Sequence, residues 1–248
     1  MAPLGVSEIV AAVSIDGSVL DAGCGSARLT LAIADAGAAE VVGIDTSDER
    51  LMQGRERIAT HPMSGRVKLI EADFERTLPF PAGRFSASVS RLALMIAVDP
   101  VATLRELRRV TAPGGQIITA LWAPVNENPW FTLPRAAAAA VIGPERADYA
   151  RAFGRLGGLE EATRVHRAAG LADVQATTLR QTLDVRDVAG LWTWMVGEIG
   201  HLRRLDATLS VSERAAVLDE LGRLVTDERA DDGSLRLPRA MTLVTATV

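Results

Sequence analysis

The chain has 248 residues, 48% of them hydrophobic and 23% charged, with a net charge of −4. This length and balance predict one soluble globular domain, or a domain with insertions, and the charge offers no bulk attraction for nucleic acid. A single cysteine, Cys24, excludes an intramolecular disulfide and a cysteine-cluster metal site, and no apolar run approaches the roughly 20 residues of a membrane helix. The N-terminus lacks a charged-then-apolar signal, so no membrane partner and a cytoplasmic location are expected.

Val6 to Val13 reads as a short helix and Ile15 to Ser18 as a turn. Val19 to Asp21 is a strand ending in an acid, and the run VLDAGCGSARLT continues into a glycine turn and a helix over Ala27 to Ala36. Gly23 and Gly25 clear the backbone for a ligand, whose polar groups can face the loop N–H groups. A dinucleotide fingerprint would need glycine where Arg28 stands, and no GxxxxGK phosphate loop occurs. Cys24 reads as a small apolar spacer in the turn.

Glu40 to Asp45 (EVVGID) is a second, β-branched strand ending in an acid about 20 residues past the loop, the spacing of a ribose-binding carboxylate. The alternative use of Asp45, or of Ser47, is to cap the helix over Asp48 to Ile58. Arg66 to Ala72 is the third strand, followed by Asp73-Phe74, an acceptor plus an apolar ring of the kind an adenine site needs. Arg84 to Ser90 is the fourth strand, placing Ser90-Arg91 at its carboxyl end. Val101 to Val110 is an amphipathic helix with Arg105, Arg108 and Arg109 facing solvent, and Ala112 to Trp122 is a Pro-Gly-Gly turn feeding a fifth strand. Strand–helix alternation implies a parallel sheet with right-handed crossovers.

In order, Asp21-x-Gly23-x-Gly25, Asp45, Asp73-Phe74 and the Pro-Gly-Gly strand resemble the motifs of class I S-adenosylmethionine (SAM) dependent methyltransferases. Where the family often has a third loop glycine, this chain has Ala27. The small-molecule subgroup of ubiquinone/menaquinone type is the most similar, and its continuation past the fifth strand resembles Trp122-Ala123-Pro124 and Asn128-Pro129-Trp130-Phe131 here. The resemblance implies an α/β fold: a Rossmann-like seven-stranded sheet of order 3-2-1-4-5-7-6, its last strand antiparallel, with helical lid insertions. It also implies a helix over Leu92 to Val98, before Asp99-Pro100.

A single domain over 1–248 is expected, with an N-terminal helix in 1–18, a cofactor core in 19–122 and acceptor-covering helices in about 123–170 and 183–233. Implied cofactor contacts are Asp21, Gly23, Cys24, Gly25, Asp45, Thr46, Asp73, Phe74, Ser90 and Arg91. Arg91, Met95, Trp122, Trp130 and Trp194 are the candidates for an apolar acceptor pocket, with Arg91 alternatively pairing with Asp99. Trp192 and Trp194 alternate, so on a helix they do not share a face and at least one belongs in the core.

The cofactor implied is SAM, leaving as S-adenosylhomocysteine (SAH), with no metal. Its methyl is already electrophilic, so alignment with a nucleophile carries most of the task. A base helps with phenol, alcohol or carbon acceptors. Among His166, His201, Glu198 and Asp99, His201 is the catalytic candidate, because it follows the aromatic stretch LWTWMVGEIG; His166, flanked by Arg164 and Arg167, is expected to be exposed. The activity expected is methyl transfer to O, C or N of a small, partly apolar metabolite in bacterial secondary or cofactor metabolism. The alternative is a SAM-binding catalyst of a non-methylating reaction such as cyclisation. With a short segment before Gly23, access is expected to depend on the later insertions or on a partner subunit in a homodimer.

Overall fold

The computed structural model of the chain describes residues 4–147 and 156–248. Its seven strands are β1 (Ser18–Ala22), β2 (Glu40–Asp45), β3 (Val67–Glu71), β4 (Phe85–Arg91), β5 (Thr111–Trp122), β6 (Ala172–Val185) and β7 (Leu235–Thr247). They form one sheet in the order β3-β2-β1-β4-β5-β7-β6. The first five run parallel, and β7 runs antiparallel to β5. This is the Rossmann-like methyltransferase order expected from the motifs.

The chain divides into two compact units: Met1–Trp122 with Gly154–Leu179 and Met241–Val248, and Ala123–Phe153 with Arg180–Ala240. The division cuts through the continuous strands β6 and β7, so no linker composition announces it. It also assigns α6 (Leu159–Ala168) to the first unit, whereas the sequence reading placed 123–170 together.

In the first unit, β1 and β2 are buried on both faces, as central parallel strands require. α1 (Val6–Ala12), α2 (Arg28–Asp35), α3 (Asp48–Ala59) and α4 (Pro100–Val110) connect or flank the strands. Ser47 accepts the Arg50 N–H and caps α3, while Asp99 accepts the Val101 and Ala102 N–H groups and caps α4. At the strand starts, Glu40 binds Lys68 of β3 and Arg84 beside β4, and these cations hold its carboxyl at about 2.

Three expectations need correction here. Leu92 to Val98 is not a regular helix; only Leu94–Ile96 form a single 3-10 turn, after a left-handed Leu92 at φ +61°. Arg109 is not a solvated residue of α4: it donates to the Phe80 and Leu78 carbonyls at 2.9 and 3.2 Å and pairs with Glu106, so it pins the loop before β4. His166 is not exposed. It is fully buried on α6, with Nδ1 2.7 Å from the Ala162 carbonyl and Nε2 2.9 Å from the Thr119 hydroxyl of β5. The carbonyl requires the proton on Nδ1, so Thr119 donates to Nε2, and burial lowers the ring's pKa.

The second unit packs α5 (Pro129–Ile142), α7 (Val188–Glu198), α8 (Gly200–Asp206) and α9 (Val211–Leu224) around Trp130, Phe131, Trp192, Met195, Val217 and Leu221. Asp187 caps α7 through the Gly190 N–H, and Ser210 with Glu213 forms a reciprocal capping box on α9. Among the described residues, no helix is long and apolar enough to cross a membrane.

Candidate functional site

The carboxyl ends of β1 and β2 gather the predicted acids and glycines in the first unit. The Gly23 and Cys24 N–H groups both bind the Ile44 carbonyl, at 2.8 and 2.9 Å, which folds the turn back onto β2. Gly23 sits at φ +77°, and a Cβ there would fall 2.2 Å from the Ala93 Cβ, so no other residue fits. The Asp45 carboxylate accepts the Gly25 N–H on Oδ2 (2.8 Å) and the Ser47 N–H on Oδ1 (2.9 Å). A carboxylate offers about four acceptor positions, so capacity remains for a ligand's hydroxyls. Ser47 performs the capping of α3, which leaves Asp45 outside that task.

Asp21 is almost fully buried, with Oδ2 receiving the Thr30 hydroxyl at 2.7 Å. Burial pushes its carboxyl up to about 6; the Thr30 hydrogen bond pulls down, Asp45 pushes further up and Arg91 opposes it. The Cys24 thiol is buried and faces the Gly25 carbonyl at 3.7 Å, and burial raises its pKa well above the usual thiol range. It is a spacer, not a nucleophile. Thr46 is exposed. At the end of β3, Phe74 is buried, and Asp73 accepts the Glu75 N–H (2.9 Å) and the Arg76 Nε–H (3.2 Å).

At the end of β4, Ser90 is buried with its hydroxyl unpartnered among the described residues. Arg91 donates from Nε to the Leu4 carbonyl at 2.8 Å, and Asp99 is spent on the α4 cap. Of the pocket candidates, Met95 and Trp122 are buried in the first unit. Trp130 and Trp194 meet edge to face in the second unit, with ring centroids 5.1 Å apart. Trp130 is only 1% exposed and its Nε1–H is spent on Asn128, so it is a core residue; Trp194 is half-buried. Trp192 is the core member of its pair and donates to Asp206 at 2.8 Å.

His201 is exposed on α8, with Nδ1 2.5 Å from the Arg204 guanidinium. The arginine can only donate, so Nδ1 accepts and the ring proton sits on Nε2. Acting as a base would require Arg204 to swing away. The side chain of Glu198 lies outside the described residues. Sequence reasoning missed Thr30. Its signal was the position in the first turn of α2, where a hydroxyl points back toward the strand end that feeds the helix.

Residues 19–115 match the methyltransferase domain family. A ubiquinone/menaquinone biosynthesis C-methyltransferase from a Geobacter species is 36% identical over 104 residues, 41% of this chain and 44% of that protein. The chain thus spans less than half the length of the curated relatives it matches. Among solved structures, a methyltransferase-like protein of Bacillus halodurans aligns at TM-score 0.66 and 17% identity, over 99% of both chains. The 4+2 cyclase SpnF aligns at TM-score 0.56 and 20% identity, over 98% of this chain and 80% of that one. Over residues 19–115 the chain thus matches the methyltransferase domain family and resembles ubiquinone/menaquinone biosynthesis C-methyltransferases, and its strand order is that of the Rossmann-like methyltransferase fold.

Proposed function

We propose that the protein transfers a methyl group from SAM to a small, partly apolar metabolite, with carbon, oxygen or nitrogen as the attacked atom. The observation that carries this reading is Asp45: a buried carboxylate, oriented by the Gly25 and Ser47 N–H groups, with acceptor positions left over at the end of β2. Two adjacent ribose hydroxyls are the donors that such a group fits.

The rest of the strand-end cluster fits the same ligand. Bound SAM supplies a methyl on a positively charged sulfur, which a nucleophile displaces in line. Asp21, ionised above pH 6, offers an anion for the ligand's ammonium. Phe74 offers an apolar ring and Asp73 a nearby acceptor for the purine. The Gly23–Gly25 turn lets the backbone approach closely and holds the ligand in one orientation, and orientation is the contribution that such a reaction needs most. The similarity to a C-methyltransferase of ubiquinone/menaquinone biosynthesis favours a carbon acceptor for the first assays.

Calorimetric titration with SAH tests the reading. Binding in the micromolar range supports it, together with a loss of about 30-fold on Asp45→Ala, the weight of a charged hydrogen-bond pair. No heat at millimolar SAH overturns it. A fold shared with a cyclase makes product mass the second measurement: an acceptor rearranged without gaining a methyl group selects the non-methylating alternative.

A further inference from the structure

One face of α3 braces the glycine turn. Arg50, Gly54 and Arg57 are spaced four and three apart and form a single stripe on the helix. Arg57 donates from Nη1 to the Ser26 hydroxyl at 3.0 Å and also to the Ser26 carbonyl. Gly54 makes room for the turn: a Cβ on it would lie 3.3 Å from the Ala27 Cβ and 2.7 Å from Leu69 Cδ1. Two of the three positions are thus consumed in holding the loop.

Arg50 is the third, and it lies at the end of the stripe nearest Asp45. Its Nη1 and Cδ are 3.7 and 3.8 Å from where a Cβ on Gly25 would stand. The side chain is exposed, and among the described residues its guanidinium has no hydrogen-bond or ion-pair partner. The Gly25 N–H is held by Asp45. One glycine is therefore bordered both by the carboxylate assigned to the ribose and by a planar cation that the loop does not use.

We infer that Arg50 is a cofactor-binding residue whose guanidinium lies flat against the adenosyl half of the ligand that Asp45 holds. The inference rests on the SAM reading above. A guanidinium is planar and weakly hydrated, so it covers a sugar or purine surface while donating in its plane. The adenosyl half carries no charge, so the plane matters more than the positive charge, and lysine is a poor substitute.

The test is calorimetry with two ligands, SAH and 5′-methylthioadenosine, which keeps the adenosyl half and lacks the amino acid. Arg50→Ala is expected to weaken both by about tenfold and to the same extent. Arg50→Lys is expected to recover little of it. Arg55→Ala, an exposed neighbour on α3 that pairs with Asp48 at 3.4 Å, is expected to change neither. Arg50→Gln, which keeps bulk over Gly25, carries the same expectation if the alanine variant loosens the turn and lowers the thermal midpoint. Unchanged affinities overturn the inference. A loss confined to SAH also overturns it, by placing the guanidinium on the amino-acid carboxylate. A wild-type protein that binds neither ligand overturns the SAM reading along with it, whereas wild-type binding with unaffected variants removes Arg50 alone.

Discussion

Asp45 in the first unit and Asn128 in the second are both buried polar side chains, but they are used differently. Asn128 gives its Nδ2 hydrogens to the Ala123 and Ala240 carbonyls, at 3.0 Å each. Its Oδ1 receives the Ala240 N–H at 2.9 Å and the Trp130 Nε1–H at 3.1 Å. Every donor and acceptor position is filled, so Asn128 ties the 123–153 segment to the last residues of the 180–240 segment and has nothing left to offer. Asp45 is filled only in part. Saturation identifies a structural tie, whereas leftover capacity at a strand end is what the proposed ligand would use.

The largest effect expected from this contrast is on Asn128→Ala, which strands the Ala240 and Trp130 N–H donors and the Ala123 carbonyl in the interior, while the Ala240 carbonyl keeps the Ala123 N–H at 3.1 Å. A stability loss of about 4 kcal/mol is expected in urea unfolding. Tryptophan fluorescence suits the measurement because Trp130, Trp192 and Trp194 all lie in the second unit. A loss below about 1 kcal/mol would break the claim that the amide is a tie.

Gly23→Ala comes next. With φ at +77° and Ala93 in the way, the turn must shift, and SAH affinity is expected to fall about 100-fold by calorimetry. An affinity within threefold of wild type would mean that the turn does not shape the site.

Asp21→Asn sharpens the comparison through pH. The folded carboxyl, at about 6, lies above its ordinary 3.8, so the folded state holds the proton more tightly than the unfolded chain does. Ionisation therefore costs stability as pH rises from about 4 through 6, and the cost is complete above that window. The amide variant is expected to be more stable than wild type by about 3 kcal/mol at pH 8 and nearly equal at about pH 3.5, below both pKa values, while binding SAH more weakly at pH 8. Equal stability at both pH values would show that the carboxyl is well solvated.

The smallest effect belongs to Cys24. Its buried, high-pKa thiol is expected to resist iodoacetamide until the protein is unfolded, and Cys24→Ala is expected to change SAH affinity by less than about threefold. Rapid labelling of the folded protein would make the turn more open than described.

Much of the first unit was legible because its signals are local. The EVVGID run predicts β2 over Glu40 to Asp45, since β-branched residues ending in an acid leave little choice, and the structure gives the same bounds. His166 was misread from its charged neighbours Arg164 and Arg167. The helical period places it on the buried face with Ala162 and Val165, and that period was the better guide. Period also settles Trp192 against Trp194, one in the core and one half-buried.

Trp130 is a pocket candidate by sequence, but its role depends on Asn128, and that residue's partner Ala240 is 112 positions away. Contacts of that range leave no local pattern. Arg50 had no such signal either, because its proximity to Gly25 arises only when α3 lies along the turn.

Ala27 is left-handed at φ +61°, a conformation that glycine adopts more cheaply, and its methyl points toward Gly54 of α3. The space that the Ala27 methyl takes is space that Gly54 leaves, so the two positions form one steric unit. Glycine at position 27 would remove only the 3.3 Å contact, because Leu69 Cδ1, 2.7 Å from a Cβ at position 54, also keeps that position bare. The turn and α3 are thus fitted with a single methyl between them, and a second would push them apart by a few tenths of an ångström, carrying the loop N–H groups with it.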